Sequence, residues 1–106
     1  MSLADVLDVR PGEDAHLVLR KATVLDPAAG IDSVHDVVVR DGQIAELAPP
    51  GEAEADGAEV VDAEGLYAFP AFFDPHVHLR TPGHEHKEDV ETGTRAAAAG
   101  GYCGVL

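Results

Sequence analysis

Apolar and polar positions alternate over short runs in the first half of the chain, the period of a half-buried strand. His16-Leu17-Val18-Leu19-Arg20-Lys21 and Ala22-Thr23-Val24-Leu25 are β-prone, with Leu17 and Leu19 on one face, and Asp26-Pro27 through Gly30 makes a turn. Asp36-Val37-Val38-Val39-Arg40, Asp41-Gly42 and Gln43-Ile44-Ala45-Glu46-Leu47 predict a hairpin, because an Asp-Gly pair supplies the positive φ of a type I′ turn. Ala48 to Gly57, with Pro49-Pro50-Gly51 and several acids, reads as a surface loop; Glu59-Val60-Val61-Asp62 is a short strand, and Ala63-Glu64-Gly65 turns. Strands at this spacing predict a mainly β N-terminal domain, a small β-sandwich over residues 15–65, whose charges form a solvated face and whose role is structural. Residues 1–14, which contain Pro11-Gly12 and little periodicity, predict a flexible lead-in.

Beyond Gly65 the pattern changes. An apolar run, Leu66 to Phe73, leads into Asp74-Pro75-His76-Val77-His78-Leu79-Arg80 and a Thr81-Pro82-Gly83 turn. Taken as the end of a buried strand, this stretch sets Asp74, His76, His78 and Arg80 on one face and Pro75, Val77 and Leu79 on the other. A polar loop, His84-Glu85-His86-Lys87, then precedes a helix running from Glu88 through the alanines Ala96 to Ala99. Acids in its first turn, a Glu91–Arg95 pair and Gly100 at its C-terminus support it, and the alanines let it lie close to a sheet. Gly93 in its interior costs about 1 kcal/mol relative to Ala and so requires a packing reason. Tyr102 to Leu106 begins another strand. Strand, loop, helix and strand describe a βα unit of a parallel barrel, in which catalytic groups gather where strands end.

Composition narrows the function classes. Among 106 residues, 20 acidic side chains face 7 basic ones, a formal net charge of -13, so the basic stripe that nucleic acid requires is lacking. No run of 18 apolar residues predicts a membrane span, and no apolar core of signal-peptide length opens the chain. The single cysteine, Cys103, forms no internal disulfide and suits a reducing compartment; a small buried residue is expected there rather than a nucleophile. A soluble cytoplasmic protein acting on a small molecule, with no membrane partner, is the expectation.

The candidate chemistry lies at the strand end. Imidazoles at i and i+2 stand about 6.5 Å apart, near enough to converge on one ion at about 2.0–2.1 Å. His76 and His78 are therefore candidate metal ligands, half of a zinc shell that must be completed from elsewhere. An isolated His-x-His pair is more often structural, but the βα context favours the metal. Arg80 continues the face, and its planar fork suits a substrate carboxylate. His84 and His86, on a polar loop, and His16 and His35, in strand-like segments, are expected to face solvent.

The stretch Gly65 to Val105 resembles the amidohydrolase superfamily, most closely the class I dihydroorotases. The matching residues are Asp74 to Arg80, Pro82-Gly83, His86-Lys87-Glu88-Asp89, Glu91-Thr92-Gly93-Thr94 and Ala96 through Gly101. The β-prone region before them is similar, at the level of pattern, to the small N-terminal domain of those enzymes. The resemblance implies residues 66–106 as the start of an incomplete (β/α)8 barrel, a fold that typically takes about 250 residues. It implies His76 and His78 as zinc ligands in a centre of two ions, Arg80 as the grip on the carboxylate of dihydroorotate, and reversible hydrolysis of dihydroorotate to N-carbamoyl-aspartate in pyrimidine biosynthesis. The remaining ligands and the general base lie downstream in that family, so no catalytic residue is expected within this chain. The chain alone is expected to be inactive, and the full-length enzyme to form a homo-oligomer. Thr81, where Glu is common, and Phe72-Phe73, where a glycine is usual, depart from the pattern. Two alternatives stand beside this one. An allantoinase- or hydantoinase-like hydrolase shares the His-x-His strand but usually lacks the arginine, and a non-catalytic dihydroorotase-like assembly subunit would have no need of intact His76, His78 and Arg80. A fragment ending here would expose an apolar edge.

Overall fold

The computed structural model describes residues 14–106. They fall into two units, one ending at Pro70 and the other covering Ala71–Leu106. The expected lead-in, apart from Asp14, lies outside the described residues.

The first unit is a sheet of β1 (Leu17–Asp26), β2 (Ile31–Arg40), β3 (Gln43–Ala48), β4 (Glu59–Asp62) and β5 (Tyr67–Ala68). The hairpin forms as its turn chemistry dictates: Asp41 and Gly42 take φ of 51° and 72°, and Arg40 pairs with Gln43. In place of a sandwich of two packed sheets, hydrogen bonds join all five strands into one, in the order β3-β2-β1-β4 with β5 also on β1. The reason is the length of β1. Its first half, Leu17–Arg20, runs parallel to β4, and Thr23–Val24 runs parallel to β5, so two short strands share one long edge.

The pairing of β1 with β2 slips between Leu19 and Ala22, where Lys21 has a φ of 58°. One extra residue on β1 reverses its alternation. Val18 packs with Val38, Ala48 and Ala53 on one face, whereas Ala22 and Val24 join Val37 and Ala63 in a second apolar cluster. Opposite the bulge stands Asp36, which is fully buried. Its Oδ1 accepts from the Lys21 amide at 2.9 Å and the Gly51 amide at 2.8 Å, and its Oδ2 from the Ala53 amide and Arg20 Nη1, both at 3.0 Å. Arg20 Nη2 reaches on to the Ala53 carbonyl at 2.9 Å. The expectation that charges here form only a solvated face is corrected at this residue: Asp36 ties bulge, sheet and loop together. Burial pushes its carboxyl upward, but the amides of Gly51, Lys21 and Ala53 and the Arg20 charge together hold it below the ordinary carboxylate range.

In the second unit, β6 (Phe72–Asp74) and β7 (Tyr102–Val105) pair in parallel, joined through helix α1 (Val90–Ala99). This is a βαβ crossover. Asp89 caps α1, its carboxylate accepting from the Thr92 amide at 2.7 Å while Thr92 Oγ1 accepts from the Asp89 amide at 3.0 Å. Asp89 is exposed, and its bonds with the amide and then the hydroxyl of Thr92 lower its carboxyl's pKa. The Glu91–Arg95 pair forms at 3.3 Å, and Cys103 is exposed, not buried as expected. Among the described residues no helix is long and apolar enough to cross a membrane.

Gly93 is buried in α1. A Cβ there would lie 2.8 Å from Leu79 Cδ2 and 2.9 Å from Glu88 Cδ, which is the packing reason an interior glycine required. Both atoms are the ends of flexible, half-buried side chains that can shift, so Gly93→Ala should realise less than the helix-propensity gain of about 1 kcal/mol and raise the thermal midpoint little. Gly93→Val, larger and β-branched, should lower the thermal midpoint by an amount equivalent to about 1–3 kcal/mol. Calorimetry checks this, and a valine variant as stable as the wild type would contradict it.

Candidate metal and substrate site

Strand β6 ends at Asp74, before the histidines. Two local features stop it. Pro75 has no amide hydrogen to give to a ladder, and Asp74 Oδ1 captures the His76 amide at 3.0 Å, bending the chain as an Asx turn does. The strict alternation expected for residues 74–80 is thus corrected. The segment still stays beside the end of β7, because the Leu106 amide donates to the Asp74 carbonyl at 3.0 Å and the Val77 amide to the Leu106 carbonyl at 2.9 Å. Val77 is half-buried, with His76 and His78 exposed on either side of it. Their rings meet edge to face, with centroids 5.1 Å apart and planes at 80°.

Arg80 is exposed and takes a φ of 66°, the left-handed region that costs a non-glycine residue about 1–2 kcal/mol. Its carbonyl accepts from the His84 amide at 2.9 Å, closing a turn over residues 80–84. Within the loop Glu85 Oε1 accepts from the Gly83 amide at 3.0 Å; bonds from its own amide and then that of Gly83 hold this exposed carboxyl below its usual range. Residues 77–82 and His84 line an open, mainly polar cleft of about 240 Å³. The cleft therefore brings together His78, Arg80 and His84, whereas His76 stands outside its lining.

His84 is exposed, as the polar loop suggested, but its place on the cleft was not foreseen. The available signal was its spacing of four from Arg80 across a Pro-Gly turn. His86 is exposed and its ring lies 5.9 Å from that of His84. His16 is exposed, while His35 is half-buried, with Nδ1 3.1 Å from the Ser33 carbonyl.

Two adjacent imidazoles suit a borderline ion such as zinc as part of its shell. Among the described residues no group of three or more His, Cys, Asp or Glu side chains is placed to hold a metal ion, so His76 and His78 could supply only part of a shell. Beside it, Arg80 offers a fixed positive charge. Chemically the arrangement can contribute two nitrogen donors and an anion grip to one reaction centre.

No family model matches the chain. Curated relatives do. The chain is 53% identical over 90 residues to a dihydroorotase of Geobacter sulfurreducens, a stretch covering 85% of this chain and 21% of the relative. It is 48% identical over 90 residues to the dihydroorotase of Streptococcus pneumoniae serotype 4, with the same coverage of 85% and 21%. Against the dihydroorotase of Anaeromyxobacter sp. (strain K) it is 51% identical over 89 residues, 84% of this chain and 20% of the relative. The chain spans about a fifth of the length of the curated relatives it matches.

Proposed function

We propose that the chain, about half identical to dihydroorotases over the fifth of their length that it spans, is the N-terminal part of a dihydroorotase, a polypeptide that interconverts dihydroorotate and N-carbamoyl-aspartate. The observation that carries this reading is the shared cleft of His78 and Arg80 at the end of β6. His78 on the cleft and His76, whose ring lies beside it at 5.1 Å, would together hold one ion of a zinc centre. The β6–α1–β7 crossover is the first module of a (β/α)8 barrel, and the sheet of β1–β5 is an accessory domain. Zinc, when bound, supplies Lewis acidity toward the ring amide carbonyl and a lowered pKa for water.

The residues of this chain bind and orient. Arg80 presents two parallel N–H groups to the ring carboxylate, fixing the ring's distance and tilt relative to the histidines. The remaining metal ligands and the general base come from beyond residue 106. A single free cysteine, Cys103, accords with action in a reducing cytoplasm.

The test is a substrate panel on the full-length polypeptide. Dihydroorotate should be hydrolysed in preference to allantoin and hydantoin, which carry no ring carboxylate. Arg80→Ala should raise KM for dihydroorotate about 10- to 100-fold, the effect of losing a charged hydrogen-bond pair. Preference for an uncharged ring, or a KM that Arg80→Ala leaves unmoved, would overturn the assignment.

A further inference from the structure

The backbone of His84 is held on both sides of its side chain. Its amide donates to the Arg80 carbonyl at 2.9 Å, and its carbonyl accepts from the amides of Lys87 at 2.9 Å and Glu88 at 3.4 Å. One end of the residue is thus tied to the Arg80 turn, the other to the segment that leads into α1. A group fastened this way meets a ligand with little further loss of backbone freedom.

The donors on the cleft are few. His78, Arg80, Thr81 and His84 line it with polar side chains, and the Thr81 hydroxyl already donates to the Glu88 carbonyl at 3.5 Å. With His78 assigned to metal, Arg80 and His84 are left to meet the substrate from the two ends of one turn. A carboxylate has about four lone-pair sites, and a bidentate guanidinium occupies two of them. An imidazole N–H fits a third.

We infer that His84 is a second substrate-binding residue, donating a ring N–H to the same carboxylate that Arg80 grips. The inference rests on the dihydroorotate reading above and adds to it. It also gives the turn a purpose: the 80–84 hydrogen bond sets the spacing between the two donors.

The experiment uses the full-length polypeptide with His84→Ala, His84→Gln and Arg80→Ala, each first checked for an unchanged thermal midpoint. His84→Ala should raise KM for dihydroorotate about 10-fold while kcat moves less than about twofold, and His84→Gln, a neutral donor, should recover most of the loss. Calorimetric binding of orotate, an unreactive planar analogue, should weaken by the same factor, whereas binding of its carboxamide should not change. If His84→Ala leaves KM and orotate affinity unaltered while Arg80→Ala weakens both, the His84 contact is refuted and the dihydroorotate assignment survives. If His84→Ala weakens orotate and its carboxamide equally, the contact is refuted too, because His84 then acts on the loop and not on the carboxylate. If Arg80→Ala also has no effect, the assignment fails with it.

Discussion

Asp36→Ala is expected to destabilise the sheet of residues 17–68 by about 3–5 kcal/mol, enough to unfold much of a unit this small. The cost arises in two parts. Three amides, those of Lys21, Gly51 and Ala53, lose their acceptor at a site where Asp36 is shut off from water. The buried Ala53 amide left unmet costs about 1–3 kcal/mol, and the part-buried amides of Lys21 and Gly51 less each. Arg20 also loses its partner, but its side chain is 28% exposed and can turn to water, so its share is small. Urea unfolding followed by circular dichroism would show the midpoint falling sharply; an unchanged midpoint would mean that the carboxylate does not hold the bulge. Asp36→Asn keeps the shape but sets an NH2 group against donors, and should recover only part of the loss.

The same residue gives the sheet a pH dependence with a definite sign. The folded carboxyl is held below its ordinary value of 3.8, so between the two values the unfolded chain binds more protons. Stability from Asp36 is fully present above the unfolded value and is lost as pH falls through the folded one. Acid titration of the wild type should show this loss, and the Asp36→Asn variant should lack it.

His76→Ala and His78→Ala should each lower dihydroorotate turnover by the full-length polypeptide about 1,000-fold or more. The number follows from the several kcal/mol that an ion contributes to such a barrier, at about 1.4 kcal/mol per tenfold change in rate. Loss of one imidazole from a pair leaves a single nitrogen where the half-site had two, so zinc measured by plasma emission should fall in parallel. Full zinc content with undiminished turnover in either variant would remove the pair from the centre. The 106-residue chain, by the same reasoning, should show no turnover above a His76→Ala control.

What the sequence made legible was local. Asp41-Gly42 fixes a two-residue turn through its own backbone preferences, and α1 announces itself by acids at its start, a Glu91–Arg95 pair and glycine at its end. The strand's stopping point was harder, because the alternation argument carried through Pro75 as though it had an amide to give. The Asx bend at Asp74 is itself a sequence signal, and it competes directly with the strand. Asp36 was hidden for another reason. Its partners stand 15 to 17 positions away, beyond any periodicity, so the residue looked like one more surface acid before Val37. His84 likewise reads as loop until the turn folds it back to Arg80.

The bulge in β1 makes chain length at that point a constraint of its own. Removing Lys21 would restore strict alternation and leave Ala22 and Val24 on the layer they share with Ala63, but it would take away the amide that Asp36 Oδ1 accepts; one residue more between Leu19 and Ala22 would turn Ala22 and Val24 toward the layer that holds Val18. A lost codon here would do more harm than many exchanged ones. Among descendants of this chain, the exposed side chains on β1 are free to drift, whereas the buried Val18, Ala22 and Val24 and the number of links between them are not.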